Sequence, residues 1–168
     1  MVFIDEKDLE EMLNEIISEL SKKSGKKKIV YVDATSDTTV PAGSSETITV
    51  QPPEGKIWRI KMISYGYFEP PTGATSGSHN VIFYQEFIGL GFRIMSNYNK
   101  AISFNFLEPQ QYTELEPSEF ISDYHSILEH FAFTYNYPLR VKYENSTDAD
   151  QTAKRSLLLL IEEEEEAL

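Results

Sequence analysis

Residues 40–63 read VPAGSSETITVQPPEGKIWRIKMI, two stretches of alternating apolarity, each introduced by a turn signal. Pro41-Ala42-Gly43 opens the first, because proline presets φ for a turn and glycine accepts a positive φ. Ile48 and Val50 then alternate with Thr47, Thr49 and Gln51, the period of a strand buried on one face. Pro52-Pro53-Glu54-Gly55 supplies the next turn. After it, Trp58, Ile60 and Met62 share one face while Arg59 and Lys61 take the other. The spacing predicts a β-hairpin of two half-buried strands, and with it a mainly β fold.

Working outward, residues 29–32 read as a short strand and residues 33–39, DATSDTT, as a polar loop. Residues 70–78, PPTGATSGS, hold no apolar side chain larger than alanine and read as an exposed loop. Strands are expected at 81–87, 92–98 and 100–107. A tight turn at 97–100 joins the last two, with Asn99 able to take positive φ. Residues 108–123 are irregular. Residues 124–135 fit helix spacing first and strand spacing later, and the strand is placed at 131–135. Leu139, Val141 and Tyr143 alternate with charged residues, and residues 153–161 carry LLLLI, apolar on both faces and so expected at a sheet centre. These last two strands are expected to form an antiparallel hairpin. Eight or nine strands at intervals near ten residues predict an antiparallel β-sandwich, and the long crossing loops make it jelly-roll-like.

One helix precedes the sandwich. Over residues 5–22, Leu9, Met12, Leu13, Ile16, Ile17 and Leu20 fall at the spacing of a single apolar stripe, on a helix roughly 27 Å long. A helix of that length is marginal alone, so the stripe must be buried against something. Its alternating four- and three-residue steps are those of a coiled-coil seam, broad enough to favour a trimer. Folding back on its own sandwich is the competing arrangement. The predicted organisation is an N-terminal amphipathic helix over 1–24, a basic linker over 25–28, a β-sandwich domain over 29–161 and a solvated acidic tail over 162–168.

Of 168 residues, ten are Tyr, ten Phe and one Trp, a supply of aromatics that suits a folded β domain. Zero cysteines exclude disulfides, thiolate metal sites and Cys nucleophiles. A net charge of -12 argues against a duplex nucleic-acid partner, which needs clustered Lys and Arg. Five lysines do sit within residues 22–28, but as a linker they suit the acidic whole better than a nucleic-acid patch. The opening MVFIDEKDLEE is acidic where a signal peptide is basic and apolar, and the sequence has no 18-residue apolar run, so neither export by that route nor a membrane partner is expected.

Candidate sites are sparse. His125, Glu129 and His130 would put two metal ligands on one helix face, but no third ligand is evident, so no metal and no cofactor is expected. Asp148 and Asp150 have the alternate spacing of a calcium loop without its glycine or distal glutamate. Glu108, Glu114, Glu116 and Glu119 are numerous enough for a glycosidase pair, although a charged loop is the ordinary meaning of such spacing. No nucleophile elbow, phosphate loop or dinucleotide glycine pattern occurs, and no enzyme is expected. Tyr65, Tyr67 and Phe68, with Tyr84, Tyr98 and Tyr112, are candidates for stacking on sugar rings; core and cross-strand packing is the alternative.

The stretch VPAGSSETITVQPPEGKIWRIKMI, the loop PPTGATSGSHNVIFY and the terminal PLRVKYENSTDADQTAKRSLLLLIEE resemble structural proteins of tailed phages and related viruses. In those, a similar pattern opens a small β-sandwich that decorates a capsid or forms part of a tail or fibre. The resemblance spans about residues 38–162 in layout and implies an assembly subunit in a virion, with no catalytic residue to carry over. The helix is outside that pattern. The sequence thus predicts a non-catalytic structural protein that forms a homo-oligomer, with other virion proteins as further partners. It would be cytoplasmic if the resemblance fails. A carbohydrate-binding module using Tyr65, Tyr67 and Phe68 is the second reading.

Overall fold

Period-2 alternation becomes strand throughout the computed structural model, which describes residues 10–16, 27–85, 90–107, 111–113 and 132–167. Residues 10–16 are helical. The strands are β1 (Lys28–Asp33), β2 (Ser45–Val50), β3 (Lys56–Phe68), β4 (Gly77–Gln85), β5 (Leu90–Asn97), β6 (Ile102–Leu107), β7 (Gln111–Thr113), β8 (Leu139–Thr147) and β9 (Arg155–Glu165).

They form two antiparallel sheets, one in the order β1-β9-β3-β6-β7 and one in the order β2-β8-β4-β5. β1 lies on β9, β2 on β8, β3 on β6 and β4 on β5. That is one long antiparallel ribbon folded over on itself, the jelly roll the crossing loops predicted, with β7 as a short addition. β9 is central, between β1 and β3, as its LLLLI run required.

Several expectations are corrected. Residues 40–63 are not a hairpin: β2 pairs with β8 in one sheet and β3 with β9 and β6 in the other. Pro52, which is buried and has no N–H to give a ladder, takes the chain over the core between sheets. β8 and β9 likewise belong to different sheets, and so do β5 and β6, despite a turn at 97–100 closed by Lys100 N–H on the Asn97 carbonyl at 3.1 Å. Asn99 does not take positive φ; among the described residues only Gly43, Gly55, Gly73 and Gly77 do. The strand expected at 131–135 is reduced to a bridge from Phe133 to Trp58, with bonds of 2.8 and 2.9 Å.

The acidic tail expected from residue 162 is instead the end of β9, with Glu162 and Glu163 opposite β1 and residues 162–165 opposite β3. A strand end flanked on both sides as far as Glu163 and on one side to Glu165 finds partners for most of its N–H and C=O groups, and that outweighs repulsion among side chains that alternate between faces. Met62 is corrected too. The ladder shifts register between Ile60 and Met62, which turns Met62 outward and puts Ile63 in the core.

The core fills the space between the sheets. Ile60, Ile63, Phe104, Leu157, Leu159 and Ile161 from one sheet meet Val81, Phe83, Leu139, Val141 and Tyr143 from the other, all buried. Phe68 stacks between Phe104 at 6.1 Å and Tyr143 at 5.9 Å, and Phe83 meets Phe104 edge-on at 5.7 Å. Burial of each such ring is worth about 1.5–3 kcal/mol. Gly66 makes room for them, since a Cβ there would lie 2.7 Å from the Phe104 ring.

Candidate functional site

The outer face of the five-stranded sheet is the surface with most chemistry on it. Register sets its rows: Tyr31 beside Leu160 beside Met62, and Asp33 beside Leu158 beside Tyr65. Tyr31 is 71% exposed, Ile29 54% and Tyr65 48%, while Met62, Tyr67, Leu158 and Leu160 are half-buried. The result is an apolar patch running from edge strand β1 across to β3. Sequence reasoning missed its members on β1 and β9; the alternation of residues 28–33 was the available signal.

Toward the end where β1 begins, the same face turns charged. Lys27 and Lys61 reach Glu162 at 3.0 and 3.7 Å and Arg59 pairs with Glu164, while Lys56 and Glu165 pair at the rim of the inner side. Burial alone would push the Glu162 carboxyl up; its bond to Lys27 and the charges of Lys61, Lys27 and Arg59 outweigh that and hold it below the usual range. The bond to Glu165 raises the Lys56 ammonium above its usual value. On the inner side, the Trp58 indole N–H donates to Glu163 at 2.7 Å. A cavity of about 400 Å³ opens here, lined by Lys27, Lys28, Lys56, Glu163, Glu164 and Glu165. Its bases and acids neutralise one another, which leaves no net charge to recruit an ionic ligand.

Tyr65 and Tyr67 stack on this face, rings 6.2 Å apart and 23° from parallel. Phe68 does not join them: it is 4% exposed and points inward, because successive strand residues alternate faces. Tyr84 and Tyr98 are half-buried elsewhere. The helix carries Met12, Leu13 and Ile16, each about half exposed, while Leu9, Ile17 and Leu20 lie outside the described residues. So do His125, Glu129, His130, Glu108, Glu114, Glu116 and Glu119. Asp148 and Asp150 do not converge: Asp148 accepts from the N–H groups of Thr75 and Ser76 at 2.8 and 3.1 Å, and Asp150 from Ala42 N–H at 2.9 Å. The bonds from Thr75 and Ser76 hold the Asp148 carboxyl far below its usual range. Among the described residues, no group of three or more His, Asp or Glu side chains is placed to hold a metal, and no helix is long and apolar enough to cross a membrane.

A polar network at the opposite end of the sandwich gave no sequence signal. His79 is fully buried, its Nδ1 3.0 Å from the Tyr143 hydroxyl and its Nε2 2.7 Å from the Lys100 carbonyl. The carbonyl can only accept, so Nε2 carries the proton and Nδ1 accepts from Tyr143. Burial pushes the His79 pKa down, partly offset by the Lys100 carbonyl. Gln151 donates to the Tyr143 oxygen at 3.1 Å. Arg155, 1% exposed, donates to Glu46 at 2.8 Å and to the Ala153 carbonyl at 3.0 Å, with its guanidinium 5.1 Å from the centre of the Tyr143 ring. His79, Gln151, Tyr143 and Arg155 are buried and Glu46 is mostly covered, so the network ties the loops together.

No family model matches the chain, and no curated protein matches it. A chain of the solved structure of Cocksfoot mottle virus is similar at 13% identity, over 86% of this chain and 96% of that one, with a TM-score of 0.40.

Proposed function

We propose that this chain is a non-catalytic structural subunit, a jelly roll that assembles with copies of itself as part of a virion. One observation carries the reading. The sandwich closes its core with side chains from both sheets, yet the helix over residues 10–16 keeps Met12, Leu13 and Ile16 half exposed. Such a stripe stays in water only at a cost of about 25 cal/mol per Å². A neighbouring copy removes that cost, and the breadth of the full stripe suits a trimer. The resemblance of residues 38–162 to phage and virus structural proteins supports placing the assembly in a virion, with other virion proteins as further partners.

Deleting residues 1–24 tests the role of the helix. The expected result by light scattering is a soluble, folded monomer from a full-length oligomer. An unchanged subunit count would end the assembly role, and unfolding or aggregation would mean that the helix covers its own sandwich.

The stacked Tyr65 and Tyr67 favour a second reading, carbohydrate binding on the outer sheet face. It predicts saturable binding on a glycan array that Tyr65→Ala with Tyr67→Ala abolishes; no binding to any glycan would remove it.

A further inference from the structure

We propose that β1 is an assembly edge, pairing antiparallel with β1 of a second copy so that the five-stranded sheets of two subunits continue as one. This rests on the self-assembly reading above but names a surface other than the helix.

The backbone supplies the first argument. Ala34 N–H bonds to the Leu157 carbonyl at 2.9 Å, and Ser36 and Arg155 exchange bonds of 3.0 and 2.8 Å. Even-numbered residues therefore face β9. The alternation of an antiparallel ladder turns the N–H and C=O groups of Ile29, Tyr31 and Asp33 to the other side. β1 is the last strand of its sheet, and among the described residues no strand pairs with that side. Natural edges are blunted by proline, bulges or charges, yet the β1–β9 register is unbroken and residues 29–32 read IVYV. β2, the edge of the other sheet, instead exposes Thr47 and Thr49 and is flanked by Pro41 and Pro52.

Side chains supply the second argument and select the register. A two-fold axis normal to the sheet keeps both outer faces on one side and requires the groups of residues 29, 31 and 33 to bond their counterparts. Centred on Val30, this pairing sets Ile29 opposite Tyr31 and Lys27 opposite Asp33, each twice. Centred on Tyr31, it sets Ile29 opposite Asp33 and leaves Lys27 without a carboxylate. Aromatic with β-branched and opposite-charge pairs both stabilise a ladder, so the Val30 register is assigned. Lys27 has room for the second carboxylate, since beyond its contact with Glu162 its side chain is 61% exposed. The axis also brings the two outer apolar patches together. Seven residues of pairing fall short of the roughly 1,000 Å² of a stable interface, so the edge acts together with the helices.

The absence of cysteine makes the test direct. Single-cysteine variants are oxidised in the full-length protein, and disulfide-linked dimer is read on a non-reducing gel. Centred pairing puts the two Val30 Cα atoms about 4.5 Å apart, within disulfide range. Val30→Cys is expected to link most of the protein, and Val32→Cys, four residues out of register with its counterpart, little of it. Ile29→Lys with Tyr31→Lys, both at exposed positions, sets like charges opposite each other twice and is expected to lower the subunit count while leaving the melting temperature of the fold in place. Linking through Tyr31→Cys in place of Val30→Cys would overturn the register. A full-length oligomer that neither links through β1 nor loses subunits in the double variant would overturn the edge while leaving self-assembly intact; a full-length monomer would overturn both.

Discussion

The two ends of the sandwich hold their charges in opposite ways. At the end built from loops 34–44, 69–76, 98–101 and 148–154, the buried Arg155 pairs with a mostly covered Glu46, with Ser36 adding a bond of 2.6 Å to Glu46. At the other end, Lys56, Arg59 and Lys61 meet Glu162, Glu164 and Glu165 on a surface that water reaches. Both are Lys or Arg against Glu, and the environment decides what each contributes. A buried pair that loses one member leaves a charge without solvent or partner. An exposed pair that loses one returns the other to water.

The largest effects should therefore come from the buried end. Arg155→Met strands Glu46 and the Thr38 and Ala153 carbonyls, and is expected to cost about 3–5 kcal/mol in denaturant unfolding. Adding Glu46→Leu should recover much of it; if the single and double variants unfold alike, the Arg155 effect is packing and not charge.

Next comes the backbone of the exposed end. Removing residues 162–168 strips hydrogen bonds from β1 and from the start of β3, each worth about 0.5–1.5 kcal/mol. Melting should fall by more than about 5 °C, where a solvated tail would have left it unchanged.

His79 adds a pH dependence to the buried end. Burial lowers its folded pKa, so below the unfolded value of about 6.5 the unfolded chain binds more protons, and stability falls as pH drops through that region. His79→Gln should flatten melting temperature between pH 7.5 and 5; an unchanged slope would place the titration elsewhere. The smallest effect is expected from Glu164→Gln, about 0–1 kcal/mol and less in high salt. A loss like that of Arg155→Met would erase the contrast between the ends.

Where strands lie was legible because their signals are local: alternation marked β2, β3, β6 and β8, a short apolar run marked β1, and proline and glycine marked the turns between them. The LLLLI of β9 also told its central place. The candidate site was legible in pieces only. The Tyr65 and Tyr67 pair could be named, but Phe68 could not be separated from it, nor Tyr31, Leu158 and Leu160 joined to it, without the register.

Partnership was decided by the tertiary structure alone. The turns at 51–55, 97–100 and 148–154 have the chemistry of hairpin turns, yet each carries the chain from one sheet to the other, because a turn fixes reversal of direction and not which ladder receives the next strand. That choice belongs to burial: two sheets each hide one apolar face only by facing each other. The same reason made residues 162–165 strand where composition alone reads as tail, since β3 along their whole length and β1 as far as Glu163 had already set hydrogen-bonding groups beside them. And a shift of one residue between Ile60 and Met62 exchanged Met62 for Ile63 in the core, a change of parity visible only where the neighbouring strand fixes the count.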